Sequence, residues 1–143
     1  IWLNKKRNLK EVSWYFHTKS LKNFGIIHEI FYKNGVKKFP TEILPIFSPQ
    51  MLAVWYMDDG SNNHGDVTLS THSFSLENQH IIADFLKEKY QINPTIVKDR
   101  NQWKIAIGRN DYDRFISIVS PFIPKVMNYK IDNPRIDLSM KTE

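Results

Sequence analysis

Apolar positions crowd residues 47–60, FSPQMLAVWYMDDG, and surround a helix rather than striping it, which predicts a helix buried on nearly all sides. Ser48 suits its N-cap, Pro49 its first turn, and Gly60 a left-handed C-terminal stop. A loop over residues 61–65 leads to residues 66–72, DVTLSTH, whose β-branched residues and partial alternation predict a strand. Ser75 caps a second helix over roughly residues 76–90, where Ile81, Ile82, Phe85 and Leu86 form a 3.6-residue stripe. Residues 95–99 and 102–107 predict a hairpin about Arg100-Asn101. In its second arm Trp103, Ile105 and Ile107 point one way and Gln102 and Lys104 the other. A third helix begins near Asn110 or Asp111, carries Phe115, Ile116 and Val119, and is interrupted or restarted at Pro121. This order predicts an α+β domain with helices on one face of a sheet and the other face open.

A faint internal repeat adds to this pattern. Trp14-Tyr15-Phe16-His17, followed by a helix with Phe24, Ile26, Ile27 and Ile30, resembles Trp103-Lys104-Ile105-Ala106 followed by Phe115, Ile116 and Ile118. Trp14 to Trp103 is an offset of 89, Phe24 to Phe115 of 91, and Lys37 to Lys130 of 93. On that period a partner for the residue 49–60 helix falls before residue 1. The chain then holds the tail of a first repeat and a linker over residues 1–46, and a complete second repeat over residues 47–143.

Composition narrows the chemistry. The 143 residues are 41% hydrophobic and 13% aromatic, enough for a packed core, and contain no cysteine, which removes disulfides, thiolate zinc sites and cysteine nucleophiles together. No apolar run reaches the ~20 residues of a membrane span, so no membrane partner is expected. The opening Ile1-Trp2-Leu3-Asn4-Lys5-Lys6-Arg7 has no signal-peptide core and no initiator Met, as in a fragment, a processed chain or an incomplete start. Charge is uneven: residues 1–38 carry a net of +7, residues 39–95 a net of −5 and residues 96–143 a net of +3. Cationic arms around an acidic centre suit a polyanion, since phosphate neutralisation releases counterions; a solvated lysine-rich surface is the plainer alternative.

Two acids, Asp58 and Asp59, sit where the helix dipole already leaves partial negative charge, and a bound cation would relieve that cost. Oxygen ligands favour magnesium or calcium over zinc. Neighbouring helical side chains diverge by ~100°, so the two acids have separate roles. An ordinary Asp-Asp-Gly turn with solvated acids is the alternative.

Residues 52–60, LAVWYMDDG, resemble the motif of the LAGLIDADG homing endonucleases, in the variant common among intron-encoded members. The similarity runs from about Trp14 to Asn133 and includes the spacing to Thr71-His72-Ser73-Phe74 and the ending Met127-Asn128-Tyr129-Lys130. The chain departs from the motif at Val54, where the family has Gly, and at Asp58, where it has Ala; both add bulk where two such helices pack. The resemblance implies αββαββα repeats with an open, saddle-like antiparallel sheet and paired motif helices. It implies a site-specific double-stranded DNA endonuclease that hydrolyses phosphodiesters with divalent metal, Mg2+ or another cation. By motif position the metal-binding catalytic acid is Asp59, with Asp58 second. Lys130 matches a basic position near the scissile phosphate, and Lys37 is its repeat equivalent, with Lys38 competing; their work is charge stabilisation or polarising a solvent chain.

The open sheet face would read DNA in the major groove. That nominates Thr68, Ser70 and His72 on one strand and Gln102 and Lys104 on the hairpin; Lys98 and Arg100 near its turn are expected to contact bases or phosphates, and Asn62, Asn63 and His64, past the motif helix, the DNA backbone. Lys5, Lys6, Arg7 and Lys10 read as phosphate contacts. One acidic motif is present, whereas cutting two strands needs two. The second repeat comes in cis from a missing first half, which the offsets favour, or in trans from a paired chain, or this copy is degenerate. The alternative function is binding of intron RNA, as a maturase or ribonucleoprotein component of the same fold. The abundance of Ile, Asn and Lys suits an AT-rich genome, hence an intracellular protein of mitochondrion or chloroplast.

Overall fold

A computed structural model of the chain describes residues 2–4, 9–11, 17, 19–63 and 65–132. His64, Lys5, Lys6, Arg7 and the residue 14–16 part of the internal repeat lie outside the described residues, and nothing is described of the Lys10 side chain.

The centre is a four-stranded antiparallel sheet built from β5 (Gly60–Asn62), β6 (Val67–Leu69), β7 (Thr95–Asp99) and β8 (Gln102–Ile107), in the order β5-β6-β8-β7. Its register aligns Ser61, Thr68, Ala106 and Thr95 across all four strands. Side chains alternate between faces. Val67, Leu69, Ile105 and Ile107 are fully buried on one face. Helices α2 (Pro49–Asp59), α3 (Leu76–Tyr90) and α4 (Arg109–Val119) supply the rest of that core, with Leu52, Tyr56, Ile82, Leu86, Phe115 and Val119. Ser61, Thr95, Gln102 and Ser70 stay exposed toward the other side. Each large apolar side chain so buried contributes roughly 1.5–3 kcal/mol.

Local chemistry sets the helix ends. Ser48 Oγ accepts from the Met51 N–H at 3.2 Å with Pro49 in the first turn, and Ser75 Oγ accepts from the Asn78 N–H at 3.3 Å. Gln91 closes α3 in the left-handed region, φ 56°, donating its N–H to the carbonyls of Leu86 and Lys87. The α+β expectation, with helices on one face, describes this half of the molecule.

Three expectations are corrected. Gly60 is extended at φ −92°, not left-handed, because it opens β5 and pairs with Leu69. The expected loop after it is therefore partly a strand. Helix α2 is not enclosed on nearly all sides: Leu52, Ala53 and Tyr56 are buried, but Gln50, Val54 and Asp58, four residues apart, form an exposed stripe, with Val54 55% exposed.

Before α2, the pair β1 (Trp2–Asn4) and β2 (Leu9–Glu11) precedes α1 (Lys22–Phe31), as β7 and β8 precede α4. A short hairpin of β3 (Tyr32–Lys33) and β4 (Val36–Lys37) turns through Asn34 and Gly35, both with positive φ. A 3₁₀ segment, Thr41–Ile46, then leads to α2. The second half instead follows α4 with 3₁₀ segments at Ser120–Phe122 and Lys125–Lys130. Lys37 and Lys130 thus sit in different local structures.

Candidate active site and nucleic-acid interface

Helix α2 delivers Asp58 and Asp59 to its C-terminal end, both exposed, and the Asp59 carbonyl accepts from the Ser70 N–H at 3.0 Å. That bond ties the acidic end to the segment leaving β6. Both acids line a cleft of about 500 Å³ together with Lys37, Ser70, Phe74 and Trp55. The Lys37 Nζ stands 5.1 Å from the Phe74 ring centroid, within cation–π range, which directs the ammonium along the cleft wall. Lys38 is engaged elsewhere: its Nζ donates to Glu42 Oε1 at 3.1 Å. A hydrogen bond from Glu42's own backbone first, and this Lys38 contact second, hold the Glu42 carboxyl below its ordinary value. Of the two competing lysines, Lys37 is the one that reaches the acids' cleft.

Lys130 approaches from the opposite side of the helix end. Its Nζ donates to the Gly60 carbonyl at 2.6 Å and lies 5.9 Å from the Tyr56 ring centroid. A cation there complements the helix dipole. The Lys130 carbonyl accepts from the Tyr56 hydroxyl at 2.6 Å and from Asn62 Nδ2 at 3.1 Å. Asn62 Nδ2 also donates to the Tyr112 hydroxyl at 2.8 Å. Asn62 is therefore a structural bracket between β5 and the C-terminal 3₁₀ segment rather than a group turned to a duplex. Burial pushes the Tyr56 hydroxyl well above its ordinary pKa, with the Tyr112 phenol adding to it.

Among the described residues no group of three or more His, Asp or Glu could hold a metal by itself. Asp58 and Asp59 still fit magnesium, which is commonly held by one or two carboxylates plus phosphate oxygens and waters. Neither acid has an ion-pair partner among the described residues.

Strand parity separates the nominated DNA readers. Gln102 and Lys104 share the open face with Thr68, whose hydroxyl is 2.5 Å from that of Ser61. Ser70 is exposed beside the cleft, and Asn63 is exposed in the turn to Asp66. Arg100 is exposed at the hairpin turn, φ 57°. Lys98 has the opposite parity. It pairs with Trp103 on the helix-bearing side and stands 5.8 Å from that ring, so it does not share the face of Gln102 and Lys104.

His72 meets a residue that the sequence reading passed over. Its Nε2 is 3.2 Å from Asp99 Oδ2, and Lys104 Nζ donates to the same oxygen at 2.9 Å. These contacts, Lys104 first and His72 second, hold the Asp99 carboxyl below its usual range. The signal was available: a two-residue turn at Arg100-Asn101 sets Asp99 opposite Gln102, hence on the face of Lys104.

Comparison with known proteins decides the family, since residues 2–115 match the LAGLIDADG DNA endonuclease family. The chain belongs to that family. Its relatives are named as nucleases and as maturases. An intron-encoded endonuclease, ai4, of Dictyostelium discoideum is 29% identical over 119 residues, 81% of this chain and 75% of that protein. A cytochrome b mRNA maturase, bI2, of Debaryomyces hansenii is 30% identical, over 82% of this chain and 46% of that protein. Among solved structures, the homing endonuclease I-WcaI bound to its DNA recognition sequence superposes with a TM-score of 0.72 at 28% identity, over 80% of this chain and 54% of that one. The LAGLIDADG chain described here thus spans three quarters of the first relative, and about half of the maturase and of the I-WcaI chain. No described helix is long and apolar enough to cross a membrane.

Proposed function

We propose that this LAGLIDADG chain acts in site-specific cleavage of double-stranded DNA, with residues 1–46 as the tail of one repeat and a linker, and residues 47–143 as a second repeat. The observation that carries this is the placement of Asp58, Asp59 and Lys37 on one cleft at the end of α2, beside an open antiparallel face. Asp59, with Asp58 beside it, would hold a divalent cation, of which Mg2+ is the natural choice for oxygen ligands. When bound, the cation supplies Lewis-acid activation of the phosphate and of water. Lys37 stabilises charge that develops on the phosphate, and Lys130 holds a positive charge at the helix end. Thr68, Ser70, Gln102, Lys104, His72 and Arg100 face the duplex. The exposed Gln50, Val54 and Asp58 stripe supports a second motif helix there, in cis or in trans.

The test is Asp59→Asn on the full chain with a selected DNA target. Cleavage is expected to fall below detection while duplex binding stays within a few-fold. Retained cleavage would remove Asp59 from the chemistry, and loss of both would make it a folding residue.

Similarity to a cytochrome b mRNA maturase favours a second reading, binding of intron RNA by the same basic surface. RNA binding that exceeds duplex binding and is indifferent to Asp59→Asn would select it. Relatives named for introns and for cytochrome b also support an organellar origin, mitochondrion or chloroplast.

A further inference from the structure

On the open face, two cationic or titratable side chains converge on a single carboxylate oxygen of a third. Lys104 projects from β8, an interior strand, and Asp99 from the end of β7, one register step along the same face. His72 enters from the segment after β6. Both Lys104 Nζ, at 2.9 Å, and His72 Nε2, at 3.2 Å, contact Asp99 Oδ2. The second carboxylate oxygen, Oδ1, has no hydrogen-bond partner among the described residues. Lys104 has three N–H donors and spends one on Asp99. All three side chains are a quarter to two-fifths exposed. The cluster is therefore held in place yet keeps one acceptor and two donors for an outside molecule.

The major-groove edge of a base pair offers the complement. Each Watson–Crick pair presents a keto oxygen and an amino group joined by an N–H···O hydrogen bond of about 2.9 Å. The ion pair sets the Lys104 ammonium 2.9 Å from Asp99 Oδ2, so its free donors lie beside the open acceptor Oδ1 of the same carboxylate. A lysine donor fits over the keto oxygen while an aspartate acceptor fits over the amino group. Guanine improves the match, because N7 lies beside O6 and accepts the second free lysine donor, whereas thymine offers O4 and a methyl group. Cytosine N4 then donates to Asp99 Oδ1.

Resting on the DNA-cleavage reading above, we propose that Asp99 and Lys104 form a specificity-determining pair that reads one G·C base pair, Lys104 on guanine and Asp99 on cytosine, with His72 positioning the carboxylate. Asp99 is a negative charge on a surface that meets phosphates, and reading an amino group gives that charge a use. A guanidinium or ammonium alone would tolerate either orientation of neighbouring acceptors. The pair does not.

The experiment is selection from a randomised duplex library with the full chain, repeated with the exchange variant Asp99→Lys/Lys104→Asp. The wild type is expected to enrich G·C at one position by roughly 5–150-fold over the reversed pair, the range of a bidentate base contact. The exchange variant is expected to select C·G at that position and leave the other positions unchanged. An exchange variant that keeps its circular dichroism and selects the original sequence overturns the proposal. If the exchange variant loses its fold, Asp99→Asn decides: discrimination at that one position should drop several-fold, and an unchanged consensus overturns the pair. A wild-type chain that enriches no duplex sequence at all sinks the DNA-cleavage reading, and the proposal with it.

Discussion

The Lys130 ammonium donates to the carbonyl of Gly60 at 2.6 Å, bringing residues 70 positions apart together at the end of the acidic helix. Its own carbonyl is held by Tyr56, a fully buried core residue. The charge beside the helix end is thus set by packing in the core. Lys130→Met is expected to lower strand cleavage by about 10²–10³-fold, the cost of removing one preorganised donor, while duplex binding changes by a few-fold. A nicking assay with a parallel gel shift separates the two effects. Unchanged cleavage with a loss of about 1.5–3 kcal/mol in urea unfolding would make Lys130 a clamp on the helix end instead.

Gly60 is required by contact rather than by backbone angle. A Cβ there would run into the Tyr56 ring and stand 2.5 Å from the Tyr56 carbonyl, and neither can retreat, because the ring also packs edge-on against Phe115 at 5.0 Å. Gly60→Ala is expected to destabilise the fold by about 1–3 kcal/mol, as overpacking does. Thermal unfolding measures it, and a variant as stable as the parent would show that α2 can shift its register to make room.

Much of this was legible from side-chain pattern. The ends of α2 and α3 and both arms of the β7–β8 hairpin follow from Ser48, Pro49, Ser75 and the alternation about Trp103, since capping and period-2 burial are local rules. Strand β5 was not legible, because Gly-Ser-Asn has no alternation, and its pairing to β6 comes from the tertiary fold. Helix α2 reads as enclosed because Val54 lies among apolar neighbours in the sequence; only with Gln50 and Asp58, four residues to either side, does it mark the exposed stripe. Asp58 and Asp59 were legible as candidates through their motif, and the Asp99 cluster was missed because its two partners, His72 and Lys104, come from other segments.

Gln79 is a polar residue on the buried face of α3, fully inaccessible, and was invisible to a reading that looked for apolar stripes. Its Nε2 donates to the carbonyls of Thr71, Phe74 and Trp103, and its Oε1 accepts from the Thr71 hydroxyl at 2.6 Å. Thr71 Oγ1 accepts in turn from the Ile105 N–H at 3.1 Å. One amide therefore pins α3, the segment after β6 and β8 together. Gln79→Leu keeps the volume but strands buried carbonyls, at roughly 1–3 kcal/mol each, so a loss of about 3 kcal/mol or more is expected. A double-mutant cycle with Thr71→Val should show coupling of about 0.5–3 kcal/mol. Additive losses would mean that the two side chains act independently.

The Tyr56 hydroxyl donates to the Lys130 carbonyl from a site that water does not reach, and burial raises its pKa above the ordinary value of about 10. The folded state therefore keeps the phenolic proton at pH values where the unfolded chain releases it. This contribution is fully present below about pH 10 and is lost as pH rises from there toward the folded-state value. Tyr56→Phe removes both the hydrogen bond and the titration. It should be less stable by about 0.5–1.5 kcal/mol at pH 7, and the gap to the wild type should narrow above pH 10. Urea midpoints of the two proteins at pH 7, 9, 10 and 11 give the comparison. Parallel curves across that range would mean that the phenol reaches solvent on ionising, and that the core does not hold Lys130 as firmly as its 2.6 Å bond to Gly60 implies.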